Sequence, residues 1–143
     1  MRRNEALEAL EALERAETVG TRTRSRGGWY AVYGAVFGVA TLALVLVVGL
    51  FPSPWAIAAS TAGFGAAMAV MTVFAVRQPV QPRGYASLHL WTMGVWGVLY
   101  AVALFVGMYA FPGEPAWWVP AALACAAPPL VAAYVSLRRS RSA

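Results

Sequence analysis

The chain has 143 residues, of which 60% are hydrophobic and 12% charged, with a formal net charge of +5. An ordinary soluble domain carries roughly 25% charged residues, and a single small domain buries only about two-thirds of its surface in a core of its own. A mean hydropathy of +0.61 therefore makes lipid the second solvent and excludes a soluble enzyme, a disulfide scaffold and a disordered tail.

The first segment, residues 4–19, reads Asn-Glu-Ala-Leu-Glu-Ala-Leu-Glu-Ala-Leu-Glu-Arg-Ala-Glu-Thr-Val. Ala, Leu and Glu are strong helix formers, so it is expected to be a helix of its own. Asn4 is placed to cap it, Glu5 to favour its dipole, and Gly20 to close it ahead of a polar, basic linker over residues 21–27. Leu7, Leu10 and Leu13 recur every third residue, so the stripe drifts by ~60° per step and covers about 120° of one face. Glu14 and Glu17 interrupt its continuation, which leaves one apolar patch too short for a coiled coil. Three readings follow: a docking helix for a partner or a second copy, a solvated helix lying on its own bundle, or a membrane-surface helix. Five Glu facing an anionic leaflet weigh against the last.

Four apolar runs free of Arg and Glu come next, at residues 28–51, 55–76, 85–109 and 116–137. Each reaches the ~20 residues that a helix needs to cross ~30 Å of hydrocarbon. Lipid leaves backbone amides no partners outside the segment, and no β-barrel alternation is present, so four transmembrane helices are expected. The first run is longer than a signal-peptide core and follows an acidic segment, which argues against cleavage. Short proline-bearing breaks at 51–54 and 111–115, and a polar turn at 77–84, separate the runs. Links this short make neighbours antiparallel. The expected architecture is all-α: a polytopic four-helix up-down bundle with an N-terminal cytoplasmic helix. Its divisions are residues 1–27, the membrane domain at 28–137 and a basic tail at 138–143.

All eleven cations are arginines. Arg2, Arg3, Arg15, Arg22, Arg24 and Arg26 precede the first span, Arg77 and Arg83 lie in the middle turn, and Arg138, Arg139 and Arg141 form the tail. Four spans put these three segments on one side, and the opposite side carries Glu114. The positive-inside rule then makes both termini cytoplasmic. The same charge attracts an anionic leaflet, and no nucleic-acid-binding fold accompanies it, so nucleic acid is not an expected partner. Trp29, Tyr30, Tyr33, Tyr85, Trp91 and Tyr134 sit at the inner ends of the runs. Phe51, Trp55, Tyr109, Trp117 and Trp118 sit at the outer ends. Both sets are expected to form interfacial belts. Cys125 is a lone thiol within the fourth run, expected to act as a small apolar filler.

The third run carries the polar side chains of interest. His89, Thr92, Trp96 and Tyr100 are spaced by three, four and four, which places them within an ~80° sector of a helix. An indole N–H or a phenol near mid-membrane needs a partner, so this face is expected to look into the bundle or a cavity. It lines a ligand path with His89 at the mouth, or it supplies interhelical hydrogen bonds, with Ala103 and Gly107 continuing the face. Small residues at Gly34 and Gly38, and at Ala59, Gly63 and Ala67, mark helix-packing faces, the first shared with Tyr30 and Thr41. Pro128 and Pro129 free the carbonyls of Ala124 and Cys125, to kink the fourth helix or to coordinate a cation.

At an offset of 60, Gly34 matches Gly94, Ala43-Leu44 matches Ala103-Leu104, and Phe51-Pro52 matches Phe111-Pro112. This suggests two parallel hairpin repeats. There is no Asp, no second His, no metal-ligand cluster and no nucleotide-binding glycine motif, so no enzyme activity, metal or cofactor is expected.

The order of parts resembles that of small four-span membrane proteins of actinobacteria: the Ala/Leu/Glu helix ending in Glu14-Arg15, the basic linker, residues 29–34 opening the first span, and the arginine-tipped tail. The all-arginine, Ala-rich composition suits a GC-rich genome. The resemblance covers the layout of the whole chain and implies no specific activity. It implies a bacterial inner-membrane setting beside cytoplasmic regulators or transport ATPases. The expected function is a non-enzymatic accessory or regulatory subunit whose partners are the lipid bilayer and a protein docked on Leu7, Leu10 and Leu13. The alternative is a homo-oligomeric carrier or channel for a neutral or cationic small molecule.

Overall fold

Each apolar run folds as one uninterrupted helix, the form in which a segment satisfies its own amides in lipid. The computed structural model describes residues 2–79, 81 and 84–142, with residues 2 and 21–27 described by their backbone alone. Val80, Pro82 and Arg83 of the middle turn, and the side chains of Arg2, Arg22, Arg24 and Arg26, lie outside the described residues. The helices are α1 (Arg2–Gly27), α2 (Trp29–Leu50), α3 (Pro54–Val76), α4 (Tyr85–Ala110) and α5 (Pro115–Ser142), and no strand occurs among the described residues. α2 to α5 are long and apolar enough to span a membrane. They form the expected all-α up-down bundle, with both ends of the chain on one side.

Local chemistry sets the helix ends. Phe51 and Phe111 close α2 and α4 alike, each backbone N–H donating to a carbonyl four residues back, Val47 at 3.0 Å and Gly107 at 3.1 Å. The Ser53 hydroxyl caps α3 by accepting from the Ala56 N–H at 3.2 Å, and Pro54 starts the helix without a missing donor. Gly84 opens α4 with φ 72°, a left-handed conformation that a Cβ would strain.

Three expected boundaries shift. α1 begins at Arg2, so Asn4 lies inside its first turn, and α1 runs through Gly20 to Gly27 in place of a linker. Gly20 does not take the positive φ of a helix-closing cap. The tail is helical as well: α5 continues to Ser142, with the Ser140 and Ser142 hydroxyls donating back to the carbonyls of Leu137 and Arg138. Arginines at a helix C-terminus complement its dipole.

The first and last spans form the centre. α2 and α5 share the most extensive contact, α4 packs on α5, α3 packs on α2, and α1 touches the bundle at α5. Without water to drive association, membrane helices pack through van der Waals contact and small residues. Gly34 faces the Pro129 carbonyl and Ala133, and Gly38 faces Leu130 and Ala126. The α5 side of this seam is correspondingly small: Ala122, Cys125, Ala126, Pro129, Ala132 and Ala133 are buried. A parallel two-hairpin repeat would make the α3–α4 contact as extensive as α2–α5. Instead α3 and α4 meet through side chains such as Phe64 and Trp96, and Gly94, the match of buried Gly34, has open space around it. The repeat is expressed in the matching caps and not in the packing.

Candidate functional site: an aromatic seam and an uncovered leucine face

The third-span stripe does face the bundle. Thr92 is buried and His89, Trp96 and Tyr100 are half-buried, while Ala103 and Gly107 continue the face as buried positions. Trp96 donates its indole N–H to the Thr41 hydroxyl of α2 at 3.2 Å, one interhelical hydrogen bond of the expected kind. Thr92 donates to the Leu88 carbonyl of its own helix at 2.7 Å, as hydroxyls in helices often do, and its side chain also hydrogen-bonds Tyr30 of α2. Tyr100 stacks on Trp96 with ring centroids 5.2 Å apart and packs on the core around Cys125 and Trp118.

His89 sits among tyrosines. Its ring stacks on Tyr85 at 5.4 Å and meets Tyr33 at 5.9 Å and Tyr30 at 6.3 Å. Its Nδ1 is buried without a hydrogen-bond partner. From there ring contacts continue in both directions. Trp29 and Phe74 lie toward the side that carries the chain ends, and Phe37, Phe64 and Trp96 lie deeper. The result is a column of rings filling the seam between α2, α3 and α4. Edge-on and offset-stacked pairs of this kind add about 0.5–1.5 kcal/mol each beyond burial.

This corrects the belt assignment in part. Trp55, Tyr109, Trp91, Tyr134 and Phe51 are exposed to the surroundings of the bundle, as belt residues should be. Trp29, Tyr30 and Trp118 are buried. Trp118 fills the notch between Gly49 and Gly107, where a Cβ on either glycine would overlap its ring, and its indole N–H donates to the Phe111 carbonyl at 2.9 Å. A spacing was available in the sequence: Trp29, Tyr33 and Phe37 recur every fourth residue, the same rhythm as Tyr85 with His89 and Trp96 with Tyr100.

The small-residue motifs separate. Gly34 and Gly38 are buried with Tyr30 and Thr41 in or beside the α2–α5 seam. Ala59 and Gly63 are exposed and Ala67 is half-buried. Gly63 and Ala67 border an open apolar groove of about 310 Å³ between α2 and α3, shared with Ala40, Ala43, Ser60 and Phe64. α5 is unbroken through Pro128 and Pro129, and Pro129 is buried against α2.

Leu7, Leu10 and Leu13 remain apart from all of this, exposed by 55%, 60% and 62%. Every residue from 3 to 19 of α1 is exposed, so the bundle does not cover the leucine patch. Arg15 and Glu11 form an exposed ion pair at 2.9 Å.

Comparison with known proteins finds no matching family model, no matching curated relative and no matching solved structure.

Proposed function

We propose that the protein is a non-enzymatic accessory or regulatory subunit of a bacterial inner membrane, with both termini cytoplasmic, that docks a partner through α1. The observation that carries this reading is the uncovered patch of Leu7, Leu10 and Leu13 on a helix that meets the bundle through α5. Exposed apolar stripes of this kind are how amphipathic helices enter partner grooves. The orientation is supported by arginine: Arg77, Arg138, Arg139 and Arg141 share the side of α1, while Glu114 lies on the other. The test is Leu10→Glu in the full-length chain. Loss of the co-purifying partner with normal membrane insertion is expected, and unchanged co-purification would refute the docking role.

A second reading, the homo-oligomeric carrier or channel, is favoured by the buried, unpartnered Nδ1 of His89. Under it, His89→Ala or Trp96→Ala changes solute flux in reconstituted vesicles. The continuous ring contacts along the same stripe support a packing role instead.

A further inference from the structure

α1 carries its leucines away from the bilayer. Gly28 keeps right-handed helical backbone, with φ −72° and ψ −11°, and its carbonyl accepts from the Ala31 N–H at 3.1 Å. The chain therefore passes from α1 into α2 without turning back, and α1 leans on α5. At 1.5 Å per residue, Leu13, Leu10 and Leu7 stand about 24 to 33 Å along the helix from Trp29 at the start of the first span. Screening confines the pull of a charged leaflet to about 8 Å, so the bilayer does not cover the leucine face, and the exposure of residues 3–19 shows that the bundle does not either.

One open charge lies in that face. Viewed down the helix with Leu10 as the centre, Leu7 and Leu13 fall ~60° to either side, and Glu14 falls ~40° away on the side of Leu7. Glu14 follows Leu10 by four residues, one turn or about 6 Å along the axis. It is exposed and forms no ion pair among the described residues. The other acids are placed differently. Glu11 pairs with Arg15 on the flank, Glu17 is engaged within its own chain, and Glu5 and Glu8 lie ~140–160° from Leu10, at the back of the helix.

A groove that takes Leu10 and Leu13 closes over Glu14 as well. A carboxylate taken out of water unpaired is strongly disfavoured, whereas an arginine or lysine opposite it turns that cost into a charge-assisted hydrogen bond. We propose that α1 docks into a cytoplasmic protein whose apolar groove ends in an arginine or lysine set against Glu14; the inference rests on the docking role of α1 and states the chemistry of its partner. The cation also fixes the direction of the helix in the groove. Entered the other way round, α1 would bring Ala6 and Arg3 toward it in place of Glu14. A second copy does not supply the cation. Copies inserted alike in one bilayer raise α1 in the same direction, and a parallel pair sets Arg3 on Arg3 and Glu14 on Glu14, which like-charge repulsion disfavours.

The experiment uses the full-length chain in the membranes of the cells that make it, with the photo-cross-linking residue benzoylphenylalanine in place of Leu10. Irradiation is expected to join it to one soluble protein, at an apolar segment that mass spectrometry finds beside an arginine or lysine. In that background Glu14→Arg is expected to lower the yield about tenfold or more, since like charges then face each other. Glu8→Arg, the same change in charge at the back of the helix, is expected to leave the yield unchanged. Replacing the identified arginine or lysine by glutamate is expected to restore the Glu14→Arg yield. Equal yields for Glu14→Arg and Glu8→Arg, or no restoration, would overturn the proposal. Joining to a segment without a cation, to a second copy, to lipid or to nothing would overturn it too. If Glu14→Arg has no effect while Leu10→Glu still releases a co-purifying protein, the cation is wrong and the docking role stands. If Leu10→Glu releases nothing, the docking role itself falls.

Discussion

Replacing Gly34 by Ala tests the α2–α5 seam that organises the bundle. The added Cβ would stand 2.7 Å from the Pro129 carbonyl oxygen and 3.0 Å from the Ala133 Cβ. Neither is the flexible end of a side chain. Ordinary contact begins at 3.4 Å, so the two helices must separate locally by about 0.7 Å. A gap of ~0.5–1 Å forfeits a quarter to a half of each ~0.1–0.2 kcal/mol atom contact, or about 1–3 kcal/mol over a few dozen contacts along the seam. Alanine returns about 0.5–1 kcal/mol through its better helix propensity, leaving a net loss of about 1–2 kcal/mol. Gly63→Ala is the internal control, because nothing lies within 4 Å of its Cβ position. Intrinsic tryptophan fluorescence during thermal or SDS unfolding in mild detergent reads both. Gly34→Ala should melt lower than wild type and Gly63→Ala should not. Equal stability of the two variants would refute the close packing of α2 on α5.

Trp118→Ala should cost about 3–5 kcal/mol, because it empties the notch between Gly49 and Gly107 and leaves the Phe111 carbonyl without its indole donor; chemical unfolding in micelles measures it. Trp96→Phe and Thr41→Val should each cost about 0.6–2 kcal/mol, and the double variant no more than either alone, since one hydrogen bond joins the two side chains. Additive losses in that cycle would show that the bond contributes nothing. A cysteine at Ser140 should react with a membrane-impermeant maleimide only in inside-out vesicles, and one at Ser53 only in right-side-out vesicles; the reverse pattern would overturn the orientation.

The spans were legible in the sequence because hydrocarbon thickness and backbone satisfaction constrain them so tightly. The expected run 85–109 and the helix Tyr85–Ala110 differ by a single residue. Close packing was legible where glycines coincide with polar side chains that need burial, as at Gly34, Gly38 and Thr41. Ala59 and Gly63 show the limit. A small residue permits close approach without requiring it, and only the location of the neighbouring helix decides whether the permission is used. Aromatic side chains were the main source of error. A ring near a span end is equally suited to the headgroup zone and to a buried seam, so Trp29 and Trp118 could not be told from Trp91 and Trp55 by position alone. The helix through residues 21–27 was missed for a related reason: Arg and Thr tolerate a helix, and the end of α1 is set by Gly27–Gly28 beside the bundle and not by Gly20.

The most direct test of the docking role is the intact mass of the complex extracted from its own membranes in gentle detergent, compared for wild type and Leu10→Glu. A defined assembly heavier than one chain, lost in Leu10→Glu while the variant remains inserted, is the expected result. A particle of one chain for both proteins, or an assembly of unchanged mass in Leu10→Glu, would contradict it.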